Sequence, residues 1–261
     1  MPTAPDVLIT DRPGLTIIIP AYNEARRLPA TLHALQTFLA TRPWGVEIVV
    51  VDDGSTDETV GAAKTKGNPA SRLRVVSLGV NQGKGAAVKR GVAEAVGACI
   101  AFVDADLPYA FSGFDVAMKL LADGADIVIG GRDLPGSSKV VGYTWMRSLS
   151  GKVYSILVNA LAVRAIPDTQ CGFKWFRAGV AKEIFPRVTL TGFAFDVELL
   201  VLAQRWGLRI ERIPVMLTHS HDSTVRLVRD SCQMLWDLLK INRGRARGVY
   251  ERAETRGGEE G

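Results

Sequence analysis

Two aspartates separated by one residue are the side chains in this sequence best placed to bind a divalent cation. Asp104 and Asp106 directly follow an apolar segment at residues 99–103. Carboxylate oxygens are preferred ligands of Mg²⁺ and Mn²⁺, and two of them leave coordination positions for phosphate oxygens and water. An isolated D-x-D is most often only a polar strand end, so the prediction of a metal site needs support from other segments.

A second acidic pair, Asp52 and Asp53, ends the apolar segment at residues 47–51 and precedes Gly54 and Ser55. One interpretation is structural, since an aspartate in a turn and a serine at a helix N-terminus satisfy local backbone groups. Such local roles explain one aspartate, but not a second one beside it. We therefore predict that this pair accepts hydrogen bonds from the ribose or base of a nucleotide.

The segment after the first apolar run, residues 15–19, contains Pro20, Tyr22 and Glu24. The ring of Tyr22 can stack on or flank a planar base, and Glu24 stands where a helix N-terminus favours negative charge. A proline turn followed by an acidic first helical turn explains the same residues equally well.

Lys84 lies between two glycines, just before a predicted helix, and resembles the lysine of a phosphate-binding loop. The motif G-x-x-x-x-G-K-[ST] is not met, because Leu78 stands at its first glycine and Gly85 at its hydroxyl position. ATP hydrolysis thereby loses its main support, and Lys84 is predicted to contact a diphosphate or to order its loop. No G-x-G-x-x-G follows the first strand, which argues against a nicotinamide dehydrogenase.

Four further charged residues are candidates for work on the reacting groups. Arg132 follows a predicted strand, where its guanidinium would help to neutralise a departing phosphate, although an exposed loop arginine is an equal alternative. Asp168 and Asp196 are candidates for orienting or deprotonating an acceptor; the alternatives are a turn residue and a solvent-facing helix residue. Lys174 is either a contact for an acceptor phosphate or a surface strand residue.

Alternating apolar segments and helical patterns must position these residues. The predicted strands cover residues 15–19, 47–51, 73–77, 99–103, 127–129 and 209–213. The predicted helices cover residues 24–39, 56–66, 85–95, 111–122, 142–163, 195–205 and 223–242. This rhythm predicts an α/β, Rossmann-like fold with a mostly parallel central sheet flanked by helices, and ligands at the carboxyl ends of the strands.

The predicted domain organisation has four parts. A flexible N-terminus covers residues 1–13, a catalytic domain 14–222, a C-terminal amphipathic helix 223–243 and a disordered tail 244–261. The C-terminal helix carries apolar residues at helical spacing among arginines and lysines, which is typical of a helix at a membrane interface. Packing of the same apolar stripe on the sheet domain is an equally good interpretation.

Composition limits the partners and the compartment. The net charge of +5 comes largely from basic residues in the last third of the chain, and we expect no nucleic-acid binding. Residues 1–13 lack a basic segment followed by an apolar one, and the three cysteines show no metal-ligand spacing, so a cytoplasmic address and no zinc site are expected. The apolar stretch at 153–163 is shorter than the roughly 18–20 residues that span a bilayer, so membrane contact would be peripheral, on the cytosolic face.

Four blocks in this order resemble family-2 inverting glycosyltransferases of the GT-A fold. They are IIIPAYNE at residues 17–24, VVDDGSTD at 50–57, NQGKG at 81–85 and DAD at 104–106. Two more, DTQCGFK at 168–174 and FDVELL at 195–200, are similar to the dolichyl-phosphate β-glucosyltransferase branch, with polyprenyl-phosphate mannosyltransferases next nearest. The resemblance extends over residues 15–240.

The resemblance implies a role for each matching residue. Nucleoside contacts would come from Pro20, Tyr22, Glu24 and Asp53, with Asp52 beside them. Asp104 and Asp106, with Ala105 between them, would bind Mg²⁺ or Mn²⁺ and the diphosphate, with Arg132 at the phosphates. The resemblance also implies a lipid phosphate acceptor near Asp168.

These implications predict transfer of glucose from UDP-glucose to polyprenyl phosphate. A phosphate acceptor is largely ionised near neutral pH, since its second pKa is about 6, and so needs little help from a general base. The alternatives are a GDP-mannose donor, a soluble acceptor, or a nucleotide-sugar binding protein without turnover. Both D-x-D carboxylates argue against a simple binder, and the segment at residues 20–22 replaces the glycine-rich loop expected of a nucleotidyltransferase.

Overall fold

The computed structural model describes residues 13–64, 72–107, 109–137, 158, 162–163, 165–216 and 227–252. The predicted helix at 142–163 lies outside these residues except at three positions. The beginning of the predicted C-terminal helix, residues 223–226, and most of the predicted N-terminal segment also lie outside them.

A seven-stranded sheet forms the centre of the fold. Its strands are β1 (Leu15–Ala21), β2 (Val46–Asp52), β3 (Arg72–Ser77), β4 (Cys99–Phe102), β5 (Ile127–Gly131), β6 (Lys174–Arg177) and β7 (Ile210–Pro214). They are ordered β3-β2-β1-β4-β6-β5-β7. Every pairing is parallel except the two that β6 makes with β4 and β5. The prediction of a mostly parallel α/β sheet is confirmed.

Strand β6 was not predicted, and its direction matters for the site. It runs antiparallel between β4 and β5, so that Lys174 at its start pairs with Phe102 and Ile129 near the ends of those strands. The residues that precede β6 therefore lie at the edge where the parallel strands end. This edge, reached by residues 20–24, 52–55, 82–84, 103–106, 131–132 and 168–173, is called the rim below.

Helices cover both faces of the sheet. They are α1 (Leu28–Leu39), α2 (Thr59–Lys64), α3 (Lys84–Glu94), α4 (Ser112–Ala122), α5 (Ala178–Ile184), α6 (Phe195–Arg205) and α7 (Leu227–Ala246). Successive residues of β1 point to opposite faces. Ile18 packs in one core with α3 and α6, whereas Ile17 and Ile19 pack in the other with α1 and α4.

Helix α1 begins four residues later than predicted. Pro29 lies in its first turn, a position that proline favours because its missing N–H group has no partner there anyway. Asn23 takes a left-handed conformation, with φ 56°, and residues 24–27 form a turn before the helix begins. Glu24 is thus a loop residue at the rim and not part of a helix.

The chain remains ordered beyond the predicted end of the C-terminal helix. Helix α7 ends at Ala246, and Tyr250, which follows the helix in the chain, is buried. The Tyr250 hydroxyl donates to Glu198 Oε1 at 3.0 Å, and Trp206 Nε1 donates to the Tyr250 carbonyl at 3.1 Å. The prediction of disorder from residue 244 is therefore wrong for residues 244–252, because one aromatic anchor outweighs an Arg/Gly/Glu-rich composition.

Helix α7 presents two different sides. Leu238 and Ile241 are buried in the core that contains α6, whereas Trp236 and Leu239 are exposed. Within the described residues, no helix is both long and apolar enough to cross a bilayer.

Candidate active site

The turn that carries the D-x-D pair is held by backbone contacts on both sides. Leu107 N–H donates to the Asp104 carbonyl at 2.9 Å, and the Thr31 hydroxyl of α1 donates to the Ala105 carbonyl at 2.6 Å. Ala105 therefore contributes its backbone and a buried methyl group. Because these contacts use the backbone carbonyls, the carboxylates of Asp104 and Asp106 remain available to charged partners.

Gly172 makes room for Asp104. A Cβ atom at this glycine would lie 2.0 Å from Asp104 Oδ2, which no side chain can tolerate, and the Gly172 N–H donates to the Tyr109 hydroxyl at 3.0 Å. The segment before β6 thus packs against the acidic turn through the backbone of Gly172, which has no side chain. Sequence reasoning gave Gly172 and Tyr109 no role, and a single sequence holds no signal that pairs them with residue 104.

Lys84 forms an ion pair with the first aspartate of the D-x-D motif, with its Nζ 2.5 Å from Asp104 Oδ1. Its loop is held by Asp53, whose carboxylate accepts the N–H groups of Gln82 at 2.7 Å and Gly83 at 2.9 Å. On the other side, Gly85 N–H donates to the Thr191 carbonyl at 2.7 Å. The loop therefore presents Lys84 at a fixed place on the rim.

Both aspartates after β2 have structural partners. Asp52 accepts from Ser55 N–H at 3.0 Å and from the Ser77 hydroxyl at 2.8 Å, while Asp53 holds the Lys84 loop. A local role thus explains only Asp52, as argued from the sequence, but Asp53 holds a loop distant in sequence, so a second aspartate does not by itself indicate a ligand. A contact of either residue with a nucleoside stays a prediction.

The loops after β1 and β2 are joined by polar side chains. Asn23 N–H donates to Ser55 Oγ at 2.9 Å, and Thr56 N–H donates to Asn23 Oδ1 at 2.9 Å. Pro20 lies within β1 beside Val51, and the Tyr22 ring is 44% exposed at the rim. An exposed ring beside two fixed loops is suited to the predicted stacking on a base.

Glu24 forms an ion pair with Arg27, and the charge of Arg27 also interacts with Asp106 of the D-x-D motif. Both of its carboxylate oxygens accept from Arg27, each at 2.6 Å. Burial, with the charges of Asp106 and Asp57, raises the pKa of Glu24 despite this arginine. The charge of Asp106 thus acts on Glu24, and a contact of Glu24 with a nucleoside stays a prediction.

Arg132 is held by Asp168 through two side-chain hydrogen bonds, at 2.8 and 2.7 Å, and one from its own backbone N–H at 2.9 Å. Burial alone would raise the pKa of Asp168, but Arg132 lowers it overall. A carboxylate with a lowered pKa is a poor proton acceptor. The geometry therefore favours Asp168 as the residue that positions Arg132, rather than as a base.

Lys174 and Asp196 form a buried ion pair beneath the rim. Lys174 is 0% exposed and Asp196 is 3% exposed, so the alternatives of a surface strand residue and a solvent-facing helix residue are both wrong. Lys174 Nζ lies 2.7 Å from Asp196 Oδ1 and donates to the Cys171 carbonyl at 2.7 Å. Both side chains are closed off from solvent, and the charge of Lys174 acts on Asp104, whose pKa it helps to lower.

The two carboxylates of the D-x-D motif differ in their electrostatics. Burial would raise the pKa of Asp104, but Lys84, Lys174 and Arg132 lower it overall. Burial and the charge of Asp104 raise the pKa of Asp106. A divalent cation between them would relieve this repulsion, which is the condition that favours metal binding.

The donor set fits a cation that is shared with a substrate. Among the residues that the structure describes, no three His, Cys, Asp or Glu side chains form a metal-binding cluster. Asp104 and Asp106 alone are too few for the six oxygen ligands of Mg²⁺, and phosphate oxygens and water are its usual further ligands. The rim therefore suits a metal that binds together with a diphosphate, between Lys84 and Arg132.

Comparison with known proteins supports the same interpretation. Residues 16–185 match the family model described as "Glycosyl transferase family 2". The chain is 35% identical to a dolichyl-phosphate beta-glucosyltransferase of Dictyostelium discoideum, covering 91% of this chain and 76% of the relative. It is 37% identical to that of Drosophila melanogaster, covering 89% and 76%, and 31% identical to that of Homo sapiens, covering 97% and 82%.

Two solved structures share the fold. One is glucosyl-3-phosphoglycerate synthase from Mycobacterium tuberculosis in complex with Mn²⁺, UDP and glucosyl-3-phosphoglycerate, with a TM-score of 0.65, 22% identity and coverage of 88% of this chain and 80% of the other. The other is mannosyl-3-phosphoglycerate synthase from Rubrobacter xylanophilus, with a TM-score of 0.67, 19% identity and coverage of 95% and 79%. The match of the family model over more than half of the chain, and relatives above 30% identity over most of their length, show that this chain belongs to glycosyl transferase family 2.

Proposed function

We propose that this protein is a metal-dependent, inverting glycosyltransferase that moves glucose from UDP-glucose to a polyprenyl phosphate such as dolichyl phosphate. The observation that carries the proposal is the rim, where Asp104 and Asp106 lie together with Lys84 and Arg132. The similarity to relatives named dolichyl-phosphate beta-glucosyltransferase supports glucose as the sugar and the lipid phosphate as the acceptor.

The donor side needs groups that stabilise the nucleoside diphosphate as it leaves. Asp104 and Asp106 would hold Mg²⁺ or Mn²⁺, which supplies positive charge to the departing diphosphate. Arg132 adds a guanidinium whose direction is fixed by Asp168 before the substrate binds, and such preorganised charge lowers the barrier more than a mobile charge does. Tyr22 and the loops at residues 20–24 and 52–55 would receive the nucleoside.

The acceptor side is consistent with a phosphate nucleophile. Asp168 is engaged by Arg132 and has a lowered pKa, and Asp196 is buried against Lys174. Neither carboxylate is thus well placed to deprotonate a sugar hydroxyl. A phosphate monoester is largely ionised already, so an acceptor of this class fits a site without a strong base.

The proposal predicts a specific pattern of label transfer. The protein is incubated with labelled UDP-glucose, a short polyprenyl phosphate and Mn²⁺, and label should enter the organic phase only when lipid and metal are both present. Parallel reactions replace the donor by GDP-mannose or the acceptor by 3-phosphoglycerate, a soluble compound that carries both a phosphate and a hydroxyl and is bound in one of the solved M. tuberculosis structures. Label in the aqueous product of the 3-phosphoglycerate reaction alone would contradict the lipid acceptor.

We further propose that helix α7 touches the cytosolic face of a membrane peripherally. Its Trp236 and Leu239 are exposed, and Lys240 and Arg243 are exposed at helical spacing on the same side. An exposed aromatic and aliphatic pair among cations matches the surface of an anionic bilayer, where each basic residue contributes about 1 kcal/mol. The other side of α7 packs on the core. Membrane contact is therefore proposed for one side of this helix, and packing on the sheet domain applies to the other.

Replacing both Trp236 and Leu239 with serine should weaken binding to vesicles of phosphatidylcholine and phosphatidylserine. Each residue is about half exposed, so roughly half of the 1.5–3 kcal/mol for full burial remains to be gained, or about 1.5–3 kcal/mol for the pair, and the partition coefficient should fall by about tenfold or more in a sedimentation assay. Val116→Ser, at an exposed valine of α4, is the matched control and should bind like the wild type. Equal binding by the double variant would contradict the membrane contact.

A further inference from the structure

The ammonium of Lys84 lies on an oxygen that the metal would need. Its Nζ is 2.5 Å from Asp104 Oδ1, and the Lys84 side chain is 19% exposed. A divalent cation on that oxygen, at a normal ligand distance of about 2.1 Å, would lie within roughly 4 Å of the ammonium, where the two positive charges repel each other strongly. The metal and Lys84 therefore compete for Asp104.

The backbone of Lys84 cannot move to make room. Asp53 holds the two preceding N–H groups, and Thr191 accepts from the following one. Gly83 has φ 101°, and a Cβ atom there would lie 2.5 Å from the Thr191 carbonyl oxygen, so the loop is packed against its neighbour. The part of Lys84 that is free to leave Asp104 is therefore its side chain alone.

The other cations near Asp104 are already held elsewhere. Lys174 pairs with Asp196 at 2.7 Å, and Arg132 pairs with Asp168 at 2.7 Å. Among the described residues, Lys84 is the cation in direct contact with Asp104. It is also the one whose displacement would leave both of these ion pairs intact.

We infer that Lys84 is a place-holding cation, which occupies the metal position on Asp104 in the nucleotide-free protein and transfers to the diphosphate when nucleotide and metal bind. The inference rests on the proposed function, since it assumes a diphosphate at the rim. A divalent cation alone must then compete with Lys84, whereas a nucleotide that takes up the ammonium removes this competition. Metal and nucleotide thereby strengthen each other's binding, and the coupling is reciprocal.

The test measures Mn²⁺ binding without turnover, by the electron paramagnetic resonance signal of free Mn²⁺. The wild type should bind Mn²⁺ weakly alone and more tightly with UDP. Lys84→Met should raise the affinity for Mn²⁺ alone by on the order of tenfold, and the further gain that UDP gives should shrink. Equal or weaker binding of Mn²⁺ alone by Lys84→Met would overturn the inference.

Three controls complete the experiment. Lys84→Arg keeps the positive charge and should keep Mn²⁺ binding weak, whereas Lys89→Met removes a lysine that donates to the carbonyls of Pro186 and Val188 and should change nothing. Thermal unfolding checks that each variant folds, and Lys84→Gln replaces Lys84→Met if the latter does not. No Mn²⁺ binding to any of these proteins, even with UDP, would instead overturn the proposed metal-dependent function.

Discussion

Replacement of Asp106 by alanine is expected to lower sugar transfer severely while the protein stays folded. Burial and the charge of Asp104 raise the pKa of Asp106, so this carboxylate is a source of repulsion in the metal-free protein and its loss should cost little stability. Its loss removes one of two protein ligands for the cation, and transfer should fall by about a hundredfold or more. Label transfer, Mn²⁺-dependent UDP binding and the midpoint of thermal unfolding are measured together.

The matched control is Asp115→Ala. Asp115 is an exposed aspartate of α4 that pairs with Arg42 at 2.8 Å, and exposed pairs of this kind contribute about 0–1 kcal/mol. This variant should retain full transfer. Unchanged turnover in Asp106→Ala would remove the metal from the proposed mechanism.

The second large effect is expected from a single added methyl group, in Gly172→Ala. Its Cβ would lie 2.0 Å from Asp104 Oδ2 and 2.5 Å from Asp104 Cγ. Either the Asp104 carboxylate or the segment that precedes β6 must therefore shift. Overpacking of this kind typically costs about 1–3 kcal/mol. A displacement of about 1 Å in a reacting site can lower the rate by roughly a hundredfold, and we expect a loss of transfer of that size.

Gly179→Ala separates this effect from a general intolerance of glycine replacement. Gly179 lies in α5, and a Cβ atom there meets nothing within 4 Å. Because alanine favours helix by about 1 kcal/mol over glycine, this variant should be as stable as the wild type or more so, with normal transfer. If Gly172→Ala retains wild-type transfer and wild-type Mn²⁺ binding, the close packing of Gly172 on Asp104 is not required for activity.

The parallel part of the sheet could be predicted because each strand is a short apolar segment that ends in polar residues. That pattern also placed Asp104, Asp106 and Arg132 at one rim, since parallel strands in one sheet end at the same edge. Strand β6 carries no such pattern. It has four residues, Lys174–Arg177, and its first side chain is a lysine, so it does not look like a buried strand in the sequence.

Partners distant in sequence could not be predicted from one chain. Lys174 and Asp196 are both charged, and charged residues are mostly exposed unless paired, so each alone is expected on the surface. Their burial follows from their mutual contact, which depends on how α6 packs beside β6. The same reasoning applies to Asp53, whose partners Gln82 and Gly83 follow the next strand.

The reversed direction of β6 has a consequence for how this enzyme can diversify. Arg132 directly follows β5, and Asp168 lies shortly before β6. The ion pair between Arg132 and Asp168 therefore joins the two ends of the segment that connects these strands. A change in the number of residues between these two anchors should leave the register of β5 and β6 unaltered, because closing a longer chain segment costs only slightly more entropy. The charges held at the two anchors should therefore keep their places whatever the length of the chain between them.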